Sequence, residues 1–415
     1  MSAQFVSYVD HLACVCCGAR YAPDKVAYTC PSCGPDDGIL DVVFDMDAVS
    51  RDLTLSDILD GPQNHWRYGP LLPVTAHHIG EHWPIGWTPV VDAPVLAKAL
   101  GVRRLRLKDD GRNNSGSFKD RASSVGVVRA AEAGATAIAC ASTGNAAVSL
   151  AACAAMASMK AFIFVSRRIP EGKLAQLLIY GATVFRVDGS YDDAYRLCGT
   201  ACEKFGWYNR NCAYNPYLVE GKKTGGLEIA EQCMVDPPGW VVMSIGDGCS
   251  IAGVGKGLGQ MRALEIIDWP ARLLGVQAEG VAAVKTALET DRLVVPDGDT
   301  FADSINCPVP RNWRKAVNAV RESEGTIVSV TDDAIRHAML LTGRRAGVFA
   351  EPAAAAAVAG VAQAVADGIL DAKSDVLAYI TGNGLKDVQA AISATGGPVD
   401  IKPDLAAVEN AINPP

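Results

Sequence analysis

From Arg104 onward, short apolar runs of strand length alternate with longer stretches whose apolar positions recur at helical spacing. The runs RLRLK (104–108), AIACAS (137–142), AFIFV (161–165), TVFRV (183–187), WVVMSI (240–245), LLGVQ (273–277) and VLAYIT (376–381) read as strands. Between them lie helical stretches such as RASSVGVVRAAEAG and DDAYRLCGTACEKFG. Strand and helix taking turns in this way predicts parallel sheet covered by helices, an α/β protein. The alanine tract at 353–357 reads as a tightly packed helix. The most apolar region, Ala146 to Val165, is interrupted by Ser149, Ser158 and Lys160, which fits a buried helix followed by a strand and not a membrane span. No internal repeat is visible.

The opening segment follows a different pattern. CVCCGARYAPDKVAYTCPSCG holds five cysteines, and Cys14-x2-Cys17-Gly and Cys30-x2-Cys33-Gly form two matching knuckles. That spacing lets four thiolates surround one zinc tetrahedrally, with a glycine after each pair to allow the tight turn. Such a site is closed and structural, because no coordination position is left for chemistry. Cys16 is then a spare or substitute ligand. The competing reading is a set of free buried thiols. A polar, turn-rich linker, roughly Asp45 to Pro73, follows.

Composition narrows the function classes. A chain of 415 residues is long enough for two or three domains, and 49% apolar with 20% charged residues describes a globular protein with an ample core. The net charge of −8 argues against nucleic acid or an acidic membrane surface as partner. MSAQFVSYVDHLAC has neither the basic start nor the apolar run of a signal peptide. Thirteen cysteines without secretory context point to a reducing compartment, hence the cytoplasm.

In such a fold, ligands collect at loops after strand C-termini, often at helix N-termini. Four loops qualify: SGSFK (Ser115 to Lys119), STGNAA (Ser142 to Ala147), GDGCS (Gly246 to Ser250) and TGNGLKD (Thr381 to Asp387). The third is a phosphate-cradle candidate, since its glycines let backbone N–H groups converge ahead of a helix dipole. A glycine-rich strand-to-helix turn is also common without any phosphate. It is no Walker A loop, because Gly257 follows Gly255-Lys256, and no glycine triplet has dinucleotide spacing. All six histidines (11, 65, 77, 78, 82 and 337) fall outside the four loops, so histidine acid–base chemistry has no local support. A lysine, a phosphate-cradle candidate and loops of small polar residues suit Schiff-base chemistry instead. The bland alternative is that Lys119 pairs with Asp120 on a helix surface.

SGSFKDR, STGNAA, GDGCS, NPYLVEGKKT, FAEPAAAAA and TGNGLKD, in that order, resemble the threonine synthase family of fold type II pyridoxal-phosphate enzymes, from about Gly86 to Ala391. The ribbon resembles an N-terminal extension found on some members. The resemblance implies a two-domain fold with helix-covered, mainly parallel sheets plus a small N-terminal zinc ribbon. It divides the chain into a zinc ribbon (1–44), a linker and N-terminal arm (45–83), a large domain (84–122 and 216–395), a small domain (123–215) and a C-terminal tail (396–415). It implies pyridoxal 5'-phosphate as cofactor and structural zinc, held by Cys14, Cys17, Cys30 and Cys33. Lys119 would be the Schiff-base lysine and the base that shuttles protons. Phe118 would flank the ring, Asn145 would bond its phenolic oxygen, and Thr381 would face its nitrogen. Gly246, Asp247, Gly248, Cys249 and Ser250 would cradle the phosphate. Ser142, Thr143 and Gly144 would receive the substrate carboxylate, while Asp120 and Arg121 would order the lysine's helix. The implied reaction takes O-phosphohomoserine and water to threonine and phosphate, in a homodimer.

The sequence departs from the family pattern in places. Around the Asn-Pro motif, members often carry a serine and an arginine that hold the substrate phosphate, where this chain has Ala213 and Leu218. Asn114 replaces a proline and Asn383 a histidine. Lys222, Lys223, Arg167 and Arg168 are candidate replacement cations. The departures keep alternatives open: a cysteate-synthase-like enzyme using O-phosphoserine, a serine/threonine ammonia-lyase, or a non-catalytic protein that binds a partner through its ribbon.

Overall fold

The computed structural model describes residues 7–166 and 169–412. Within them, thirteen strands follow in chain order: β1 (Val9–Cys14), β2 (Arg20–Tyr21), β3 (Leu40–Phe44), β4 (Val90–Asp92), β5 (Arg104–Asp109), β6 (Ala137–Ala141), β7 (Lys160–Val165), β8 (Thr183–Arg186), β9 (Tyr208–Asn209), β10 (Trp240–Ser244), β11 (Arg272–Ala278), β12 (Thr326–Val330) and β13 (Asp375–Ile380). They make three sheets, ordered β2-β1-β3, β12-β11-β10-β13-β5-β4 and β8-β7-β6-β9. The first is antiparallel. The second is parallel except for its edge strand β4, and the third is wholly parallel. All seven expected strands are present. The pattern missed β4 and β9 because three and two residues carry no period. It missed TIVSV because Thr326 and Ser329 interrupt its apolar run.

Five helices position the site: α1 (Lys119–Glu132), α2 (Asn145–Met156), α3 (Tyr217–Gln232), α4 (Cys249–Ala263) and α5 (Pro352–Ala366). Helix α3 is buried along nearly its whole length, wedged between α1 and α4. Glycines permit this. A Cβ on Gly221 would stand 2.1 Å from the Arg121 carbonyl oxygen, and one on Gly226 2.1 Å from that of Val254. Any larger residue would force the helices apart. The alanine tract lies in α5, buried against the large sheet in the main apolar core.

Residues 45–73, which read as a polar, turn-rich linker, fold into short helices and a 3-10 turn whose residues His65 to Leu71 are all buried. Their polar groups find partners inside. The Arg67 guanidinium donates to the Ile58 and Leu59 carbonyls and pairs with Glu231 at 2.9 Å. Composition marked the segment as polar without revealing that its polarity is internally satisfied. The ribbon is held to α4 and to the helix Trp313–Glu322 through Asp41 of β3, which accepts from Lys256 at 3.2 Å and Lys315 at 2.8 Å. No described helix is long and apolar enough to cross a membrane.

Candidate active site

Helix α1 begins at Lys119, directly after a segment pinned to the large sheet. Phe118 N–H donates to the Thr381 carbonyl at 2.8 Å, and Ser117 bridges Gly382. Asp120 turns back to accept the Ser115 amide and hydroxyl. Arg121 points away from the cavity into a sealed network, pairing with Asp110 and Glu228, while Lys108 also pairs with Glu228. All four side chains are fully buried. Asp120 and Arg121 thus fix the first turn, and the intervening geometry sends the Lys119 amine the other way.

That amine enters a cavity of about 750 Å³, within the range typical of small-molecule sites. Lys119 Nζ lies 3.3 Å from Ser250 Oγ. Burial, and next the neighbouring Lys222 cation, lower its pKa from the ordinary lysine value, which favours the neutral, nucleophilic amine. Lys119, Ser142, Thr143, Gly144, Asn145, Gly246, Asp247, Gly248, Cys249, Ser250 and Thr381 all line this one space. The bland reading of Lys119 as a surface residue paired with Asp120 therefore fails. Phe118 is the exception among the named residues. It is fully buried in the core beneath the cavity, packed edge-on against Tyr379 with ring centroids 5.1 Å apart. The Lys119 amine lies 5.9 Å from the centroid of the Phe118 ring.

Four helix N-termini border the cavity, and none has a side-chain cap: α1 after Phe118, α2 after Gly144, α4 after Gly248 and α5 after Glu351. Some first-turn amides, including those of Asp120, Ala147 and Ala354, bond nearby carbonyls, and the helix dipoles favour anions in the space. Gly248 has φ +89°, and a Cβ there would stand 2.9 Å from the Asn312 carbonyl oxygen, so the loop requires glycine. Burial raises the Asp247 carboxyl to about 6.

The sequence reading missed several lining residues. Glu351 is buried and accepts Asn145 Nδ2 at 2.8 Å. Its signal was an acid stranded before an all-apolar helix in FAEPAAAAA. Arg210, Cys212 and Arg311 also line the space, as does Lys222. Ala213 and Leu218 are buried and do not. Lys223 turns away to pair with Glu220. Arg167 and Arg168 lie outside the described residues.

In the ribbon, the sulfurs of Cys14, Cys17, Cys30 and Cys33 all lie within 4.8 Å of one another, as one tetrahedral ion would require. Cys16 is exposed and outside the cluster.

Comparison with known proteins identifies the family. The family described as pyridoxal-phosphate dependent enzyme matches residues 84–382. Threonine synthase of Methanosarcina acetivorans is 36% identical over 410 residues, 97% of this chain and 98% of that protein. Threonine synthase of Methanocaldococcus jannaschii is 34% identical over 396 residues, 94% and 96% respectively. Among solved structures, the processed form of threonine deaminase isoform 2 from Solanum lycopersicum superposes with a TM-score of 0.66 at 21% identity, covering 91% of this chain and 98% of that one.

Proposed function

The chain belongs to the pyridoxal-phosphate-dependent enzymes, and from that premise we propose that it is a threonine synthase, converting O-phosphohomoserine and water to threonine and phosphate. The observation that carries the reading is the Lys119 amine, half-buried, of lowered basicity, and delivered into a cavity bordered by uncapped helix N-termini.

The residues fit pyridoxal phosphate. The glycine loop from Gly246 to Ser250 has no side-chain cap to compete for its amides. Asn145 Oδ1 is buried without a hydrogen-bond partner, and the Lys119 amine is within reach of the loop. In this reading Lys119 is the covalent anchor, Gly246 to Ser250 hold the phosphate, and Asn145 and Thr381 present an amide and a hydroxyl to the ring. When bound, the cofactor supplies the electron sink that makes protons on the substrate's carbons removable.

The chain's own residues do the rest. The α2 N-terminus, with Ser142, Thr143 and Gly144, receives the substrate carboxylate. Lys119 Nζ takes the proton from the α carbon and then one from the β carbon, so that the γ-phosphate departs, and it returns protons after water adds at the β carbon. Lys222, with Arg210 and Arg311, supplies the cations for the substrate phosphate that Ala213 and Leu218 do not. All thirteen cysteines are free thiols, which supports a cytoplasmic enzyme, and the family resemblance supports a homodimer. The ribbon's four sulfurs suit a structural zinc.

The test is phosphate release from O-phosphohomoserine by the cofactor-loaded enzyme, with amino-acid products identified in the same tube. Threonine formed mole for mole with phosphate is the expected result. No release from a chain that still binds the cofactor would reject the substrate and leave O-phosphoserine and serine to be tried.

A further inference from the structure

Two thiols that the proposed reaction does not use sit side by side in the cavity. Cys212 follows β9 in the four-stranded part of the molecule, and Cys249 opens α4 on the six-stranded side. The side-chain donor atoms of Cys212, Asp247 and Cys249 all lie within 4.8 Å of one another. Lys222 Nζ donates to Cys212 Sγ at 3.0 Å, and Arg210 Nη1 lies 3.9 Å from the same sulfur. Cys249 Sγ lies 3.3 Å from Asp247 Oδ2. Lys222 and Arg210 act on the Cys212 sulfur as cations, which disfavours a metal cation here and favours an anionic sulfur.

We propose that Cys212 is a peroxide-reactive cysteine with Cys249 as its resolving partner, so that oxidation joins the two halves of the cavity through a disulfide. The hydrogen bond from Cys249, with the cations of Lys222 and Arg210, holds the Cys212 thiol well below its ordinary range. The same hydrogen bond holds Cys249 well above, so the pair supplies one nucleophile and one proton. The other two cysteines lining the cavity, Cys140 and Cys307, are pushed up by burial and serve as internal controls.

The chemistry balances with a peroxide as oxidant. The Cys212 sulfur attacks one peroxide oxygen, the O–O bond breaks, and the leaving oxygen takes up a proton to give water (or an alcohol). Cys212 is then a sulfenic acid. The Cys249 sulfur attacks it, the S–O bond breaks, and hydroxide leaves with the thiol proton as a second water. Two sulfurs have given two electrons to one peroxide. The bond would tether the loop after β9 to the first residue of α4, directly beside Gly248. This inference does not depend on which substrate the enzyme takes.

The experiment treats the cofactor-loaded wild-type enzyme with limiting hydrogen peroxide, alkylates the remaining thiols and maps the peptides by mass. Cys212 should lose its alkylatable thiol at least about tenfold faster than Cys140 or Cys307, given its anionic character. A Cys212–Cys249 disulfide should account for the loss and be reversed by a dithiol reductant. In Cys249→Ser, a sulfenic acid trappable with dimedone should accumulate at Cys212 instead. Should that variant fail to fold, the wild-type map alone decides. Equal oxidation rates at all four cavity cysteines, or loss of Cys212 without a bond to Cys249, would overturn the proposal.

Discussion

Lys119 and Arg121 are two residues apart, yet they serve two buried polar regions built on opposite principles. Around Arg121 every charge has a partner: Asp110, Glu228 and Lys108 close on one another at 2.5–2.7 Å with no exposure. Around Lys119 the lining groups bond in pairs, Lys222 to Cys212 and Cys249 to Asp247, around an open cavity, and Asn145 Oδ1 has no partner. The first region gains rigidity by satisfying its groups internally, and the second keeps groups unsatisfied so that a ligand can satisfy them. One helix turn connects them, so the sealed network acts as the foundation on which the reactive amine is aimed.

The sharpest way to break this contrast is to change one residue on each side. Lys119→Ala should cut turnover by at least about 10³-fold, since anchor and proton carrier are lost together. Its thermal unfolding should stay near wild type. Glu228→Gln should do the reverse in kind. Removing one charge from a buried cluster leaves Arg121 and Lys108 undercompensated, costing about 3–5 kcal/mol, to be read from urea unfolding. If Lys119→Ala destabilised as strongly as Glu228→Gln, the two regions would not be separable.

How much of this was legible in the sequence follows the same division. Most strands of the parallel sheets declared themselves because burial on both faces makes them apolar runs, β8 being mostly exposed and β5 alternating Arg with Leu. The loops after them carried small polar residues in recognisable order, and eleven of the twelve expected cavity residues, Lys119 through Thr381, line one space. Phe118 does not line the space: its ring is buried in the core, 5.9 Å from the Lys119 amine, a placement that a motif string does not encode. The sealed network was invisible. Lys108, Asp110, Arg121 and Glu228 lie up to 120 positions apart, and a charged residue in a sequence reads as solvated unless its partner is known. His65 and the buried turn around it were taken for linker on the same ground.

Within the cavity, Lys222→Met should raise KM for O-phosphohomoserine by roughly 10- to 100-fold, the worth of one charge-assisted hydrogen bond to phosphate. Lys222→Arg should recover part of it, and kcat should move less than KM. A Lys222→Met enzyme with unaltered KM would return the phosphate role to Arg210 and Arg311, and would show that a cation near the cavity need not serve it.

The smallest effect tests the sealed side through pH. His65 is fully buried, with Nε2 3.1 Å from Ser124 Oγ. Burial, and then the Arg121 cation, lower its pKa from 6.5 to about 3. Between those values the unfolded chain binds a proton that the folded chain refuses, so stability must fall as pH drops below 6.5, by about 1.4 kcal/mol per pH unit for one proton. Glu228 acts in a lower window. Its Arg121 and Lys108 partners depress its carboxyl below 4.5, so its contribution is kept above that value and lost only on further acidification. Between pH 7 and about pH 5 Asp247, raised to about 6, acts with the opposite sign. The histidine's share in urea unfolding is therefore the difference between wild type and His65→Gln. His65→Gln should flatten the acid slope by one proton's worth while leaving the decline below pH 4.5 in place. An unchanged slope in the upper window would mean that the imidazole takes a proton inside the fold, and that the region around Arg121 is less closed to charge than its geometry implies.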